Sequence, residues 1–463
     1  MKRLVAILTI VIALGFSAPL VNADIVTEWD ASFGGPESDA AYDVQATGDG
    51  GTIAVGFGSQ GYMPAVLVVK TDVLGSSQWQ RTLSLTNYGE QAYSVEQTND
   101  GGYLVFGSAY QPAVYEYRPW LVKLDAAGNT MWSSENGLTQ QVAVDSAIIR
   151  GFERADGSLV LVGGSNTFTN VQRPWVATVS PMGTLQTFVV YPSLATGYAE
   201  GTYIEDIAAT EDGGFVLAGT SSPPLIGNAF LWKFDAEAQP EWVQLYGDIG
   251  FRAAFGVEPA SDGGYVLSGC EIPNCTDSMV VKTDGQGVAQ WNRTIVAPLD
   301  NQGRDVIEHP GGGYLLAQTS VDAAGSTSYF ADLIELTSNG DVIRVNPLLG
   351  GSESTSLTRL RAVDSGFLAA GNTNNGDGDG NQLYLLKGLF DAAGGMACPD
   401  FNSNGVVDAD DVTLVASHWL NHSGAAGWNV VYDLDGDGGI DMVDIMRVAA
   451  SWGNSCLLPR IYE

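Results

Sequence analysis

A short glycine turn returns about every fifty residues along this chain, and that recurrence restricts the fold more than any other feature. Asp49-Gly50-Gly51, Asp100-Gly101-Gly102, Asp212-Gly213-Gly214 and Asp262-Gly263-Gly264 are the plainest copies. Asp156-Gly157, Gly311-Gly312-Gly313 and Asp364-Ser365-Gly366 are weaker ones, which makes seven. A short run such as Tyr42-Asp43-Val44 enters the turn, and an alternating run such as Tyr103-Leu104-Val105-Phe106-Gly107 leaves it. Asp-Gly between such runs predicts a hairpin, because glycine accepts the positive φ that a tight turn demands. After a variable loop comes a third strand, for example Leu67 to Asp72, and a turn with Gly75 leads to a fourth beginning near Trp79.

Four strands per unit, with no helical periodicity between them, predict the blade of a β-propeller, and seven units predict seven blades. The ends of the array support closure of a ring. Residues 25–35, with Trp29 ahead of Phe33-Gly34-Gly35, read as a fourth strand, whereas the last repeat stops at Tyr384-Leu385-Leu386-Lys387 without one. The N-terminal segment is expected to complete the seventh blade and so remove an open sheet edge. The expected fold class is therefore all-β: a seven-bladed propeller over 24–391, followed by a linker over 392–397, a small helical module over 398–456 and a tail over 457–463.

The element Asp-x-x-Gly-x-x-x-Trp occurs at Asp72–Trp79, Asp125–Trp132 and Asp284–Trp291. It resembles, one residue shorter, the tryptophan-docking motif of pyrroloquinoline-quinone dehydrogenase propellers and, at a different spacing, the Asp box of sialidase propellers. Its physical reading is tryptophans packing between blades and aspartates closing turns. Lys70, Lys123, Lys233, Lys282 and Lys387 also recur, so they are expected to serve the blade, paired with first-strand carboxylates such as Asp43, Asp206 and Asp305. His309 lies in a degenerate turn and is expected to be solvated. The sequence holds no Ser-His-Asp constellation, phosphate loop or zinc motif, so no catalytic residue is assigned.

A binding site should instead break the repeat symmetry. Tyr110, Tyr115, Tyr117, Arg118 and Trp120 crowd one loop between second and third strands, and Phe168, Arg173 and Trp175 follow in the next. Aromatic faces with a few polar groups suit carbohydrate or protein recognition, and packing onto the propeller rim is the alternative. Asn375-Gly376-Asp377-Gly378-Asp379 reads as a flexible glycine loop or a cation site.

Charge and termini set the compartment. Lys and Arg total 20 against 53 Asp and Glu, a formal net charge of −33. So acidic a chain repels phosphate backbones and anionic lipid, which excludes nucleic acid as a natural partner. Lys2 and Arg3, an apolar run from Leu4 to Phe16 and Val21-Asn22-Ala23 have the pattern of a signal peptide over 1–23, with an apolar core too short for a membrane span. The protein is expected to be secreted. Four cysteines in such a chain read as two disulfides, Cys270–Cys275 and Cys398–Cys456 on proximity in sequence.

The C-terminal segment has its own grammar. Asp400, Asn402, Asn404, Asp408 and Asp411 supply side-chain oxygens at loop positions 1, 3, 5, 9 and 12, and Asp433, Asp435, Asp437, Asp441 and Asp444 repeat the pattern. Gly405 and Gly438 stand at the sharp bend, and Val406 and Gly439 would add backbone carbonyls. Two calcium ions are expected. Each loop runs into an amphipathic helix, with Val412, Val415 and Trp419 in the first and Ile445, Val448 and Trp452 in the second. These two loop-helix repeats resemble a type I dockerin. The resemblance implies a module that folds on calcium and docks onto a cohesin domain, usually in assemblies that degrade polysaccharides. Ala409-Asp410 and Met442-Val443 stand where cohesin-reading dockerins often carry a Ser/Thr pair. The leading reading is a non-catalytic binding protein carried on this module; the alternative is a dockerin-tethered glycoside hydrolase or polysaccharide lyase with its site on the loop-rich propeller face.

Overall fold

The computed structural model describes residues 25–390, apart from short stretches between strands (135–145, 322–328 and 375–380 are the longest), and then 409–419, 440, 445 and 448. Every sheet in the described residues has four strands, and there are seven of them. Six follow chain order. Blade one consists of Ala40–Ala46, Thr52–Gln60, Met63–Thr71 and Ser77–Leu83. In the seventh, Ser354–Val363, Gly366–Asn374 and Gln382–Phe390 are joined by the N-terminal strand Ile25–Phe33, which pairs antiparallel with the last of them. The expected closure is present: the N-terminal strand covers the edge that Gln382–Phe390 would otherwise leave open.

The turns explain why this grammar folds. Gly50 has φ +82°, a conformation costly for any residue with a Cβ. Asp49 accepts from the Gly51 amide and the Thr47 hydroxyl, closing the turn from within. Gly51 is needed for a different reason: a Cβ there would meet the Thr71 carbonyl oxygen at 2.0 Å. The strands that follow are continuous apolar runs, such as Tyr103–Ala109, because both faces of a middle strand meet neighbouring blades.

Between blades the tryptophans do what the motif reading expected. Trp29, Trp79, Trp132, Trp242 and Trp291 each lie over a glycine of the next blade's outer turn, namely Gly75, Gly128, Gly183, Gly287 and Gly340. The Trp29 and Trp79 indoles also donate to the carbonyls of Val73 and Ala126. Asp72, Asp125 and Asp284 each accept two backbone amides of their own turn. Trp29 belongs to the N-terminal strand and docks on blade one, so the same contact that repeats around the ring also closes it.

Residues Ile25–Phe390 form one compact unit, and the described residues after Asp391 belong to another. In that second unit a helix spans Ala409–Ala416, with Val415 buried, and Ile440 and Val448 are buried as well. No helix among the described residues is long and apolar enough to cross a membrane.

Candidate functional site

The first strand of every blade carries a register shift at the same place: between Ala41 and Asp43, Ala92 and Ser94, Ile148 and Arg150, Ile204 and Asp206, Ala254 and Gly256, Gly303 and Asp305, and Leu357 and Arg359. A bulge inserts one unpaired residue and re-aims the side chains that follow. The residue after each bulge reads Asp, Ser, Arg, Asp, Gly, Asp, Arg around the ring. Identical geometry therefore delivers different chemistry from each blade to the centre.

There the charges meet across the ring. Arg359 of blade seven reaches Asp206 of blade four at 3.0 Å, and lies 3.6–3.7 Å from Asp305 and Asp43. Arg150 contacts Asp43 and Asp206 at 3.3 and 3.5 Å, and Arg361 contacts Asp43 and Asp305 at 3.0 and 3.5 Å. The three aspartates are at most 2% exposed. Each also accepts the amide of the next blade's first strand, Asp43 from Val95, Asp206 from Val257 and Asp305 from Leu360. Gly256 makes room for this arrangement, since a Cβ there would meet Asp305 Oδ1 at 2.4 Å.

Burial and the neighbouring Arg361 guanidinium lower Arg150 to about 10, while Asp43 and Asp206 oppose the shift. Burial pulls Arg359 down too, but its three carboxylates hold it above the usual arginine value. Three arginines thus balance three aspartates.

One layer further along the same strands, toward the glycine turns, lies a cavity of about 380 Å³. Gln45, Glu96, Arg150, Phe152, Glu258 and Arg361 give it its character, with Ile207, Ala208, Val257 and Pro259 as apolar wall. Burial pushes the carboxyls of Glu96 and Glu258 up to about 7. Glu96 accepts the Glu153 amide, and Phe152 packs edge-on against Phe215. Such a cavity combines donors, acceptors and one aromatic wall in a partly desolvated setting.

The lysines correct one expectation. Lys70, Lys123, Lys233 and Lys282 pair at 2.6–2.9 Å with Asp49, Asp100, Asp212 and Asp262 of the glycine turns, not with Asp43, Asp206 or Asp305. The register puts each lysine beside its turn: Lys70 is opposite Ile53, one residue into the second strand. Lys387, in the closing blade, pairs with Glu28. Blade six replaces the pattern, with Glu335 at the lysine position, pushed up to about 7 by burial and bonded to Asn346. His309 also departs from expectation: its ring packs 4.2 Å from Phe390, and burial lowers its pKa.

The aromatic candidates separate. Trp120 and Trp175 are buried, with their indole N–H groups bonded to Ser133 and Ser146 inside their own blades. Tyr110 and Tyr117 pack edge-on at 5.3 Å where the two strands meet, and Tyr115 at the hairpin tip is 83% exposed. Phe168, the loop 375–379, the signal peptide over 1–23, Cys275, Cys398, Cys456 and the side chains of all the calcium-loop residues lie outside the described residues. Cys270 is buried in the second strand of blade five.

Comparison with known proteins bears on the C-terminal unit. Residues 399–451 match the dockerin type I domain family. The dockerin match spans both calcium-loop repeats and includes the helix Ala409–Ala416. No curated protein matches the chain. Among solved structures, the polysaccharide lyase Uly1 is 13% identical with a TM-score of 0.47, over 77% of this chain and 90% of that one. Sqt1 from Chaetomium thermophilum is 10% identical with a TM-score of 0.42, over 80% of this chain and all of that one. Likeness at this level carries nothing about chemistry.

Proposed function

We propose that this chain is an exported, calcium-binding protein in which a β-propeller binding scaffold is carried on a dockerin, which joins it to a cohesin-bearing partner for carbohydrate or protein recognition. The observation that carries the reading is the dockerin type I match over 399–451, together with a loop pattern whose oxygen positions repeat twice. Calcium at Asp400, Asn402, Asn404, Val406, Asp408 and Asp411, and at Asp433, Asp435, Asp437, Gly439, Asp441 and Asp444, would close the loops. Cleavage after residue 23 and the clasps Cys270–Cys275 and Cys398–Cys456 belong to the same proposal. The second reading, a dockerin-tethered polysaccharide-degrading enzyme, draws on Glu96 and Glu258, two carboxyls that hold protons near neutrality beside a cavity.

The test is capture of the mature protein on immobilised type I cohesins with calcium and with chelator, alongside a polysaccharide panel assayed for binding and turnover. Calcium-dependent capture is expected, lost in Asp411→Ala with Asp444→Ala. Retention that ignores calcium would overturn the docking reading. Turnover abolished by Glu258→Gln would replace the scaffold with the enzyme.

A further inference from the structure

We propose that the glycine-turn end of the central channel binds an organic ammonium ion, held between Glu96 of blade two and Glu258 of blade five. The inference deepens the reading of the propeller as a binding scaffold; its failure would leave the docking reading untouched, because the experiment does not read cohesin capture.

The charges around the cavity point to a cation. Arg150, Arg359 and Arg361 are committed to Asp43, Asp206 and Asp305 at 3.0–3.7 Å, so the buried cluster is neutral by itself. Glu96 and Glu258 line the cavity beside that cluster, and neither forms an ion pair among the described residues. Glu96 faces Arg150, Glu153 and Asp43; Glu258 faces Arg361, Asp305, Asp206 and Arg150. Ionising both glutamates would add two negative charges to a cavity whose lining cations, Arg150 and Arg361, are already paired with Asp43, Asp206 and Asp305. An incoming cation removes that penalty.

The shape of the site decides which cation. No group of three or more His, Cys, Asp or Glu among the described residues is arranged to hold a metal ion. Blades three and four separate the two glutamates around the ring. An ammonium group on an organic frame can reach acceptors that one small ion cannot, with Phe152 as an apolar flank. The net charge of −33 also raises the local concentration of cations of any kind, which sets the approach but not the site.

Calorimetric titration of the full chain with 1,5-diaminopentane and with glucosamine tests the inference, in low salt at about pH 8, where both carboxyls are ionised. Saturable binding of at least one amine is expected, and N-acetylglucosamine, its amine capped, should give none. Binding by the diamine alone points to a basic side chain as the natural ligand, and binding by glucosamine alone to an amino sugar. Glu96→Gln and Glu258→Gln should each weaken binding about tenfold or more, as loss of a desolvated charge partner does. Glutamine keeps the size of the protonated carboxyl, so folding should survive, as an unchanged melting temperature would confirm. In the unmodified protein, affinity should fall as pH drops through about 7, because each glutamate must then give up a proton to bind. The inference is overturned if neither amine binds saturably, if N-acetylglucosamine binds equally, or if affinity is indifferent both to the two glutamines and to pH.

Discussion

At the residue scale, the centre of the ring is held by ions where most cores rely on apolar side chains. Six charged groups from blades one, three, four, six and seven converge, and their hydrogen bonds tie each aspartate to the blade after it. Burying charges is costly, and mutual attraction repays that cost only while every partner is present. Removing one member leaves uncompensated charge in a desolvated place. Arg359→Met, which keeps much of the side-chain volume, should therefore cost about 3–5 kcal/mol of unfolding free energy. Denaturant melts of the two proteins check this, and a loss below about 1 kcal/mol would place the cluster with ordinary surface ion pairs. The lysine–aspartate pairs at the turns are of that second kind. Their carboxylates are about half exposed, although Lys123 and the Thr98 hydroxyl still hold Asp100 down at about 2.

At the element scale, the blade is a closed grammar of one glycine turn, two apolar middle strands and an outer strand that, except in blades three and six, offers a tryptophan to its neighbour. The seventh blade alone borrows a strand from the other end of the chain. That strand supplies both the edge pairing with Gln382–Phe390 and the Trp29 contact on Gly75. A mature chain lacking residues 25–33 should expose the Gln382–Phe390 strand as an unpaired edge and lose the contact between blades seven and one. Size-exclusion chromatography and thermal melts provide the measurement. Aggregation or a clearly lowered melting temperature is expected, whereas an unchanged monomer would show that the ring does not depend on its N-terminal strand.

At the scale of the whole molecule, two compact units obey different physics. The propeller has a large core distributed along its blade interfaces. The unit that matches the dockerin family is too short for such a core, and on the calcium reading proposed above its loop carboxylates would repel one another until a cation arrives. Metal affinity would then become folding free energy there and not in the blades. Calorimetry of the full chain should show an unfolding transition that calcium raises, by about 4 kcal/mol at a thousandfold excess over the dissociation constant, and that chelator removes. The propeller transition should stay where it is. One transition that shifts as a whole with calcium would contradict the division.

The chain reveals in its own order whatever depends on neighbours in sequence. Blade number, strand order within a blade and the missing last strand follow from turns that favour glycine and from the apolar runs that flank them. The role of Trp79 and its counterparts follows from their repetition, since a residue present in most blades serves the blade. The dockerin match is legible in the same way, because a hard cation would dictate oxygen spacing within twelve residues and the two expected loops fall inside 399–451. The lysine partners differ from the sequence expectation because strand register, which the sequence leaves open, decides whether Lys70 lies beside Asp49 or Asp43. For Trp120 and Trp175 the sequence leaves ligand binding and packing both open for a similar reason: they belong to strands whose inward face register selects, and both are buried. The channel needed the tertiary structure. Residues 43, 96, 150, 206, 258, 305, 359 and 361 become neighbours only when seven bulged strands are bent into one ring. A signal was present, in the Asp, Ser, Arg, Asp, Gly, Asp, Arg that break the repeat at one strand position. Only closure of the ring converts that variation along the chain into opposite charges at contact distance.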